Sequence, residues 1–252
     1  MQREQLIRYS RQIMLAGFGV TGQERLLGAS ALIVGLGGLG SPVSMYLAAC
    51  GVGHLLLNDF DQVELSNLQR QIVHGHADLK RPKVESARDR LLAINPDVRL
   101  TLIPERLGAE ALVERAASVD VVVDASDNFE TRFAVNAACV RAGKPLVSAA
   151  AIRFDAQVTV FVPGEGCYRC LYDESAAGTE TCAQNGVAAP LLGIVGSLQA
   201  LEAVKLLAGI GSGLRSRLLL LDGLRMEWSS IRLRRDPLCP ACGSATAAAT
   251  GS

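Results

Sequence analysis

The residues from Ala31 to Gly40, ALIVGLGGLG, run an apolar strand directly into G-x-G-x-x-G. Such a junction folds as strand, tight turn and helix, which commits the chain to a βα unit with a phosphate-sized gap at its turn. Gly35 permits the turn, Gly37 lets the backbone approach a phosphate, and Gly40 lets helix pack closely on strand, while the helix N-terminus offers aligned N–H donors. Asp59 closes the next apolar run about twenty residues later, where a Rossmann fold places a carboxylate on ribose hydroxyls. These residues specify a nucleotide but not which one, and an NAD-dependent oxidoreductase fits them.

The remaining sequence alternates apolar runs with amphipathic stretches, the pattern of a parallel sheet with crossover helices. Strands are expected at Ala31 to Val34, Leu55 to Asn58, Val98 to Ile103, Val119 to Asp124 and Pro145 to Ala149. Helices are expected at Gly38 to Cys50, Pro82 to Ile94, Ala109 to Ala117 and Asn128 to Ala142. Beyond Ala151, the runs Gln157 to Val162, Arg217 to Leu221 and Glu227 to Leu233 read as strands without short crossover helices, with an apolar helix from about Ala189 to Leu207 among them, and extend the sheet antiparallel. The expected fold class is therefore α/β: a Rossmann-like, mixed but mainly parallel sheet with helices on both faces. A single domain accommodates all 252 residues. Its parts are an N-terminal helical arm (1–28), a nucleotide-binding part (29–151), a C-terminal part (152–242) and a weakly apolar, disordered tail (243–252).

Charge excludes some functions. Lys plus Arg and Asp plus Glu each total 25, and no basic block of the kind that tracks nucleic acid is present. The N-terminal MQREQLIR carries charges where a signal peptide needs an apolar core. The longest apolar stretch, Leu191 to Gly211, contains Gln199, Glu202 and Lys205, which suits a buried helix within a cytoplasmic protein rather than a membrane span.

The run DFDQVELSNLQRQ, from Asp59 to Gln71, and Lys83 beyond it, bear on the choice of nucleotide. Arg70 and Lys83 add cations beside a pyrophosphate loop that already has its helix N-terminus. Two unit charges about 4 Å apart interact by about 4 kcal/mol at an effective dielectric near 20, so these cations matter most where a triphosphate meets another anion. Asp127, at the end of the fourth strand in DASDN, places a carboxylate beside those phosphates, which reads as a Mg²⁺ ligand. Asn128 fits either a ligand contact or a helix N-cap.

RYSRQI, GLGGLG, DFDQVELSNLQRQ, RPKVESA, DASDN, CYRC, GSLQALEAVK and CPAC, in this order and spacing, together resemble the MoeB/ThiF/HesA family, whose members are similar to the adenylation half of ubiquitin-activating enzymes. The resemblance covers nearly the whole chain. It implies a homodimer that uses MgATP to adenylate the C-terminal Gly-Gly carboxylate of a small ubiquitin-like sulfur-carrier protein. It also implies that Gly38 lies in the phosphate loop, that Asp59 binds ribose, and that Ser66, Asn67, Leu68, Gln69 and Arg70 line the ATP site. The same resemblance implies that Lys83 contacts phosphate and that Asp127 holds magnesium. Arg11 matches an arginine that enters the neighbouring subunit's ATP site in trans. AAIRFDAQVTVF looks more like MoeB-type members, which serve molybdopterin synthase, than ThiF-type members, which serve thiamine thiazole synthesis. The stretch ending at the second cysteine knuckle carries no rhodanese-like domain, so a separate sulfurtransferase is expected to supply sulfur.

Of seven cysteines, Cys167 and Cys170 form one C-x-x-C pair and Cys239 and Cys242 another. Two such knuckles far apart in sequence match a closed tetrahedral Zn²⁺ site. Cys182 stands in a polar loop from Tyr172 to Gly186; it takes part in sulfur transfer in ThiF-like members and is dispensable for adenylation in MoeB-like ones, and both roles stay open. Cys50 and Cys139 read as inert core thiols, and His54, His74 and His76 receive no role. The carrier's globular part is expected on the strands near Arg217 to Leu233, with Trp228 and Met226 as anchors; alternatively Trp228 packs beneath the apolar helix.

Overall fold

The computed structural model describes residues 1–173, 185–211 and 213–243. Cys182 and residues 244–252, the expected tail apart from Gly243, lie outside the described residues. The apolar runs form β1 (Ser30–Val34), β2 (His54–Asn58), β3 (Arg99–Ile103), β4 (Val121–Asp124) and β5 (Leu146–Ile152). They pair in parallel in the order β3-β2-β1-β4-β5. Three further strands, β6 (Asp155–Phe161), β7 (Arg217–Asp222) and β8 (Glu227–Arg232), continue the same sheet antiparallel from β5. The mixed sheet expected from the sequence is thus present, with boundaries shifted by one to three residues.

β1 shows why the runs are apolar throughout. Ala31 and Ile33 face one hydrophobic core, Leu32 and Val34 face another, and all four are buried, as a parallel sheet covered on both faces requires. The first core is closed by α3 (Gly19–Gly28), α4 (Gly40–Cys50), α5 (Lys83–Ile94) and α8 (Ala189–Ala208); the second by α6 (Ala109–Ala117) and α7 (Phe129–Ala142). The N-terminal arm is not one continuous helix. It divides into α1 (Arg3–Arg8) and α2 (Ser10–Ile13) because Tyr9 is drawn into the interior, where its hydroxyl accepts from Asn95 Nδ2 at 2.9 Å.

By length and composition α8 is apolar enough to cross a bilayer. Instead, it packs against α3, α4 and the sheet, and its polar residues have internal partners. Gln199, fully buried, donates to the Asp124 carbonyl at 2.7 Å. Glu202 accepts from Leu214 N at 2.8 Å and pairs with Lys205. At the far edge, every residue of β8 is exposed, Arg217 stands opposite Arg232, and Leu221 stands opposite Trp228.

Two glycines of the β1–α4 turn are fixed by geometry. Gly35 has φ +91°, and a Cβ there would lie 2.8 Å from the Ala125 carbonyl oxygen. A Cβ on Gly40 would lie 1.9 Å from the Gly35 carbonyl oxygen. Gly40→Ala is therefore expected to destabilise the chain by about 3 kcal/mol in urea unfolding. Gly28→Ala, where a Cβ meets nothing within 4 Å, is expected to change stability by less than about 0.5 kcal/mol. Equal effects from the two would contradict the packing described.

Candidate active site at the carboxyl ends of the parallel strands

β1, β2 and β4 end together, and the β1–α4 turn, the loop after β2 and the N-terminus of α7 surround one cavity at those ends. Of the expected site residues, Gly35, Gly37, Gly38, Asp59, Arg70, Lys83, Asp127 and Asn128 all line it. Gly40 lies one step back, opening α4. Ser66, Asn67, Leu68 and Gln69 belong to or follow a 3₁₀ turn over Leu65–Asn67 and stand outside the cavity lining. They lead into Arg70, whose guanidinium folds back onto the Ser66 carbonyl at 3.0 Å. Arg11 is exposed on α2 and does not reach the cavity of its own chain.

The electrostatics centre on two buried charges. Asp59 accepts from Leu36 N at 2.8 Å and Asp61 N at 2.9 Å, with Lys83 Nζ 3.9 Å away. Burial pushes its carboxyl above the ordinary aspartate value, against the opposing pull of Lys83 and the two backbone donors. Asp59 thus braces the glycine turn itself, a contact the spacing argument did not foresee. Lys83 is buried and pairs with Asp61 Oδ2 at 2.9 Å. Asp127 is exposed beside the same space, with Asn128 Nδ2 3.3 Å from its Oδ1. Asn128 Oδ1 accepts from Thr131 N at 2.9 Å and caps α7, so the N-cap reading of this residue holds while its amide also faces Asp127.

Five residues that sequence reasoning left without a role complete the site. Gln71 is buried, with Nε2 3.5 Å from where a Gly37 Cβ would stand. Leu192 of α8 lies against Gly38, where a Cβ would meet its Cδ1 at 2.4 Å. Asp124 is fully buried, and its carboxylate accepts from Ser126 N, Ser126 Oγ and Ser148 Oγ. Burial raises its pKa, opposed by Arg132 and these donors. Arg132 lies one turn after the Asn128 cap, and that i, i+4 spacing was the available signal. His74, to which the sequence assigned nothing, is buried between Ser86 Oγ at 2.8 Å from Nδ1 and the Leu36 carbonyl at 3.1 Å from Nε2. A carbonyl only accepts, so Nε2 carries the proton and neutral Nδ1 accepts from Ser86.

A groove leaves this cavity along β5 and β6. Asp127, Arg132 and Ala151 line both spaces. Ala150 and Ala156 keep the groove shallow-walled, and Tyr172, donating to Gln157 Oε1 at 2.6 Å, stands at its side.

The four paired cysteines form a separate cluster. The sulfurs of Cys167, Cys170, Cys239 and Cys242 lie within 4.8 Å of one another, with Cys167–Cys239 at 3.7 Å and Cys170–Cys242 at 3.4 Å. Zn–S bonds of about 2.3 Å in a tetrahedron require sulfurs about 3.8 Å apart, so the donors fit that ion. Asp236 N donates to Cys170 Sγ at 3.5 Å, the kind of N–H contact that supports a thiolate. The cluster is tied to α7 by Tyr168 N, which donates to Asn136 Oδ1 at 2.8 Å. Cys139 is buried and Cys50 half-buried, and burial raises both thiols, consistent with inert packing. Trp228 is 44% exposed and Met226 62% exposed, so Trp228 is not packed away beneath α8.

The sequence model of the ThiF family matches residues 9–241. The chain is 46% identical to the sulfur carrier protein ThiS adenylyltransferase of Escherichia coli over 98% of its own length and 99% of that protein's. It is 48% identical to the Escherichia coli molybdopterin-synthase adenylyltransferase over 95% and 97% of the two lengths. Among solved structures, Escherichia coli MccB with ATP superposes with a TM-score of 0.83 at 26% identity, covering 96% of this chain and 75% of that one. A Rossmann-like sheet whose strand ends carry this cluster of charges defines a nucleotide-binding protein. The chain belongs to the ThiF family.

Burial pushes the His74 imidazole down to about 4, with the Leu36 carbonyl pulling it up and Lys83 pressing it further down. An unfolded histidine titrates near 6.5. The contribution of neutral His74 is therefore fully present above about pH 6.5 and is lost as pH falls toward 4, because there the unfolded chain binds a proton that the folded chain does not. The stability difference between the wild type and His74→Gln is expected to shrink by about 2–3 kcal/mol from pH 7 to pH 4.5 in urea unfolding. A difference independent of pH would refute this.

Proposed function

We propose that this protein is an ATP-dependent adenylyltransferase that activates the C-terminal Gly-Gly carboxylate of a small ubiquitin-like sulfur carrier, the small subunit of molybdopterin synthase. The observation that carries the reading is the placement of Arg70, Lys83 and Asp127 around one cavity beneath the glycine turn. A dinucleotide calls for the turn and Asp59, whereas two cations and a carboxylate match a magnesium-bound triphosphate. The names of the relatives point the same way: both Escherichia coli proteins are adenylyltransferases, and MccB has been solved with ATP.

In this reading Asp59 holds the ribose while bracing Leu36, the α4 N-terminus and Arg70 and Lys83 hold the phosphates, and Asp127 holds Mg²⁺. The ion supplies charge neutralisation between nucleotide and incoming carboxylate. The chain's own work is positioning and electrostatic. A carboxylate oxygen attacks the α-phosphorus in line, the bond to pyrophosphate breaks, and no proton need be transferred. The carrier's tail enters along the alanine-walled groove, which suits a segment without side chains, and its globular part docks near β7 and β8, where Trp228 and Met226 are exposed. Arg11, exposed and remote from its own cavity, completes the site of a second copy in a homodimer. The cysteine cluster holds one Zn²⁺ and pins the C-terminal knuckle to the loop after β6. A Cys₄ set fills the tetrahedron and leaves no position for water, so the ion's work is structural.

Asp127→Ala and Lys83→Ala are each expected to lower carrier-dependent ATP–pyrophosphate exchange by about a hundredfold or more; near-normal exchange in both, with the fold intact, would overturn the assignment. Mixing the protein with MgATP and either the molybdopterin-synthase or the thiamine-pathway carrier, then asking by mass spectrometry which one gains AMP, separates the pathways. The relative named for ThiS, matching 249 residues, makes the second arm necessary. About one equivalent of zinc per chain is expected in a freshly reduced preparation, and less than about half would exclude the structural site.

A further inference from the structure

Three residues line both the nucleotide cavity and the groove: Asp127, Arg132 and Ala151. Arg132 is the cation among them, at the junction where the groove meets the nucleotide cavity. Its side chain enters from the second turn of α7 and is only 7% exposed. Nη2 donates to the Ser126 carbonyl at 3.1 Å, and the guanidinium carbon sits 5.6 Å from the Phe129 ring centroid. Nε is buried with no hydrogen bond in place, and the buried Tyr168 hydroxyl, itself unpaired, lies within the reach of the guanidinium on its interior side.

A guanidinium offers five N–H donors in a fixed fork, and leaving a buried one unmet is costly. The buried Asp124 does not relieve it. Its oxygens are already taken by Ser126 and Ser148, so Asp124 acts on Arg132 as a neighbouring counter-charge. A counter-charge accounts for the presence of a cation. It does not account for a guanidinium that lines both substrate spaces while spending one Nη2 donor on the Ser126 carbonyl. A carboxylate, with one oxygen accepting from the guanidinium and the other left free, is the ligand that these donors match.

We propose that Arg132 receives the terminal carboxylate of the incoming carrier and holds one of its oxygens while the other attacks the α-phosphorus. This rests on the adenylation reading and deepens it: Arg70 and Lys83 meet phosphates, whereas Arg132 recognises the nucleophile. After transfer, the acyl carbonyl oxygen remains on the guanidinium as pyrophosphate departs.

The test compares carriers ending in a free carboxylate or a carboxamide, using whichever of the two carriers supports pyrophosphate exchange in the wild type. Binding to the full chain is measured with a non-hydrolysable ATP analogue present. Wild type is expected to prefer the carboxylate by about tenfold or more. Arg132→Met alone would leave the Asp124 charge buried and uncompensated, so the decisive protein is Arg132→Met combined with Asp124→Asn, checked for an intact fold by circular dichroism. It is expected to bind both carriers alike when the nucleotide analogue is present at a saturating concentration. Retention of the carboxylate preference in the folded double variant would overturn the proposal, as would its absence in wild type. Failure of wild type to exchange pyrophosphate with either carrier would overturn the adenylation reading instead.

Discussion

The peptide groups on either side of Leu36 are gripped from both directions, and the geometry of the site follows from that grip. Asp59 takes the N–H, His74 Nε2–H meets the carbonyl, and the Leu36 side chain is fully buried between them. A glycine turn is conformationally free by composition; here two segments distant in sequence, those of Asp59 and His74, remove that freedom. The aligned N–H groups of α4 are then fixed in space before any ligand arrives, which is what makes a helix N-terminus an effective anion site. The cost is a carboxylate and an imidazole held in a low-dielectric environment, each shifted against its charged form.

Helices α7 and α8 carry the same logic further. α7 begins at the cavity with the Asn128 cap, projects Arg132 one turn later, and at Asn136 accepts from Tyr168 of the first cysteine knuckle. One rigid element therefore connects the charged end of the site to the cysteine cluster. α8 presses Leu192 against Gly38 from the opposite side and lets Gly196 approach the Leu39 carbonyl, where a Cβ would stand at 2.6 Å. The apolar composition of α8 thus reflects burial against both the sheet and the glycine turn.

Much of this was legible in the sequence because the signals were local. The glycine spacing, the apolar runs and the two C-x-x-C pairs each placed their elements correctly, including the antiparallel continuation through β6, β7 and β8. What escaped notice depends on contacts between distant segments. His74 means nothing until α5 brings Ser86 and the β1–α4 turn brings Leu36 to its two nitrogens. Asp124 reads as the end of a strand, and only the fold reveals that it is sealed and answered by Arg132. The break at Tyr9 likewise follows from Asn95, 86 residues away.

The pairing of Arg217 with Arg232 across β7 and β8 has a consequence of another kind. Like charges in register weaken the pair they belong to, and here one of the two, Arg232, lies on the outermost strand, whose free edge offers unpaired backbone groups to any passing sheet. Arg232 on that strand, with Arg217 beside it on β7, makes uncontrolled strand addition between copies unfavourable. The edge remains open to partners whose own charges neutralise it, so the sheet can stop at eight strands in isolation without being sealed against selective extension.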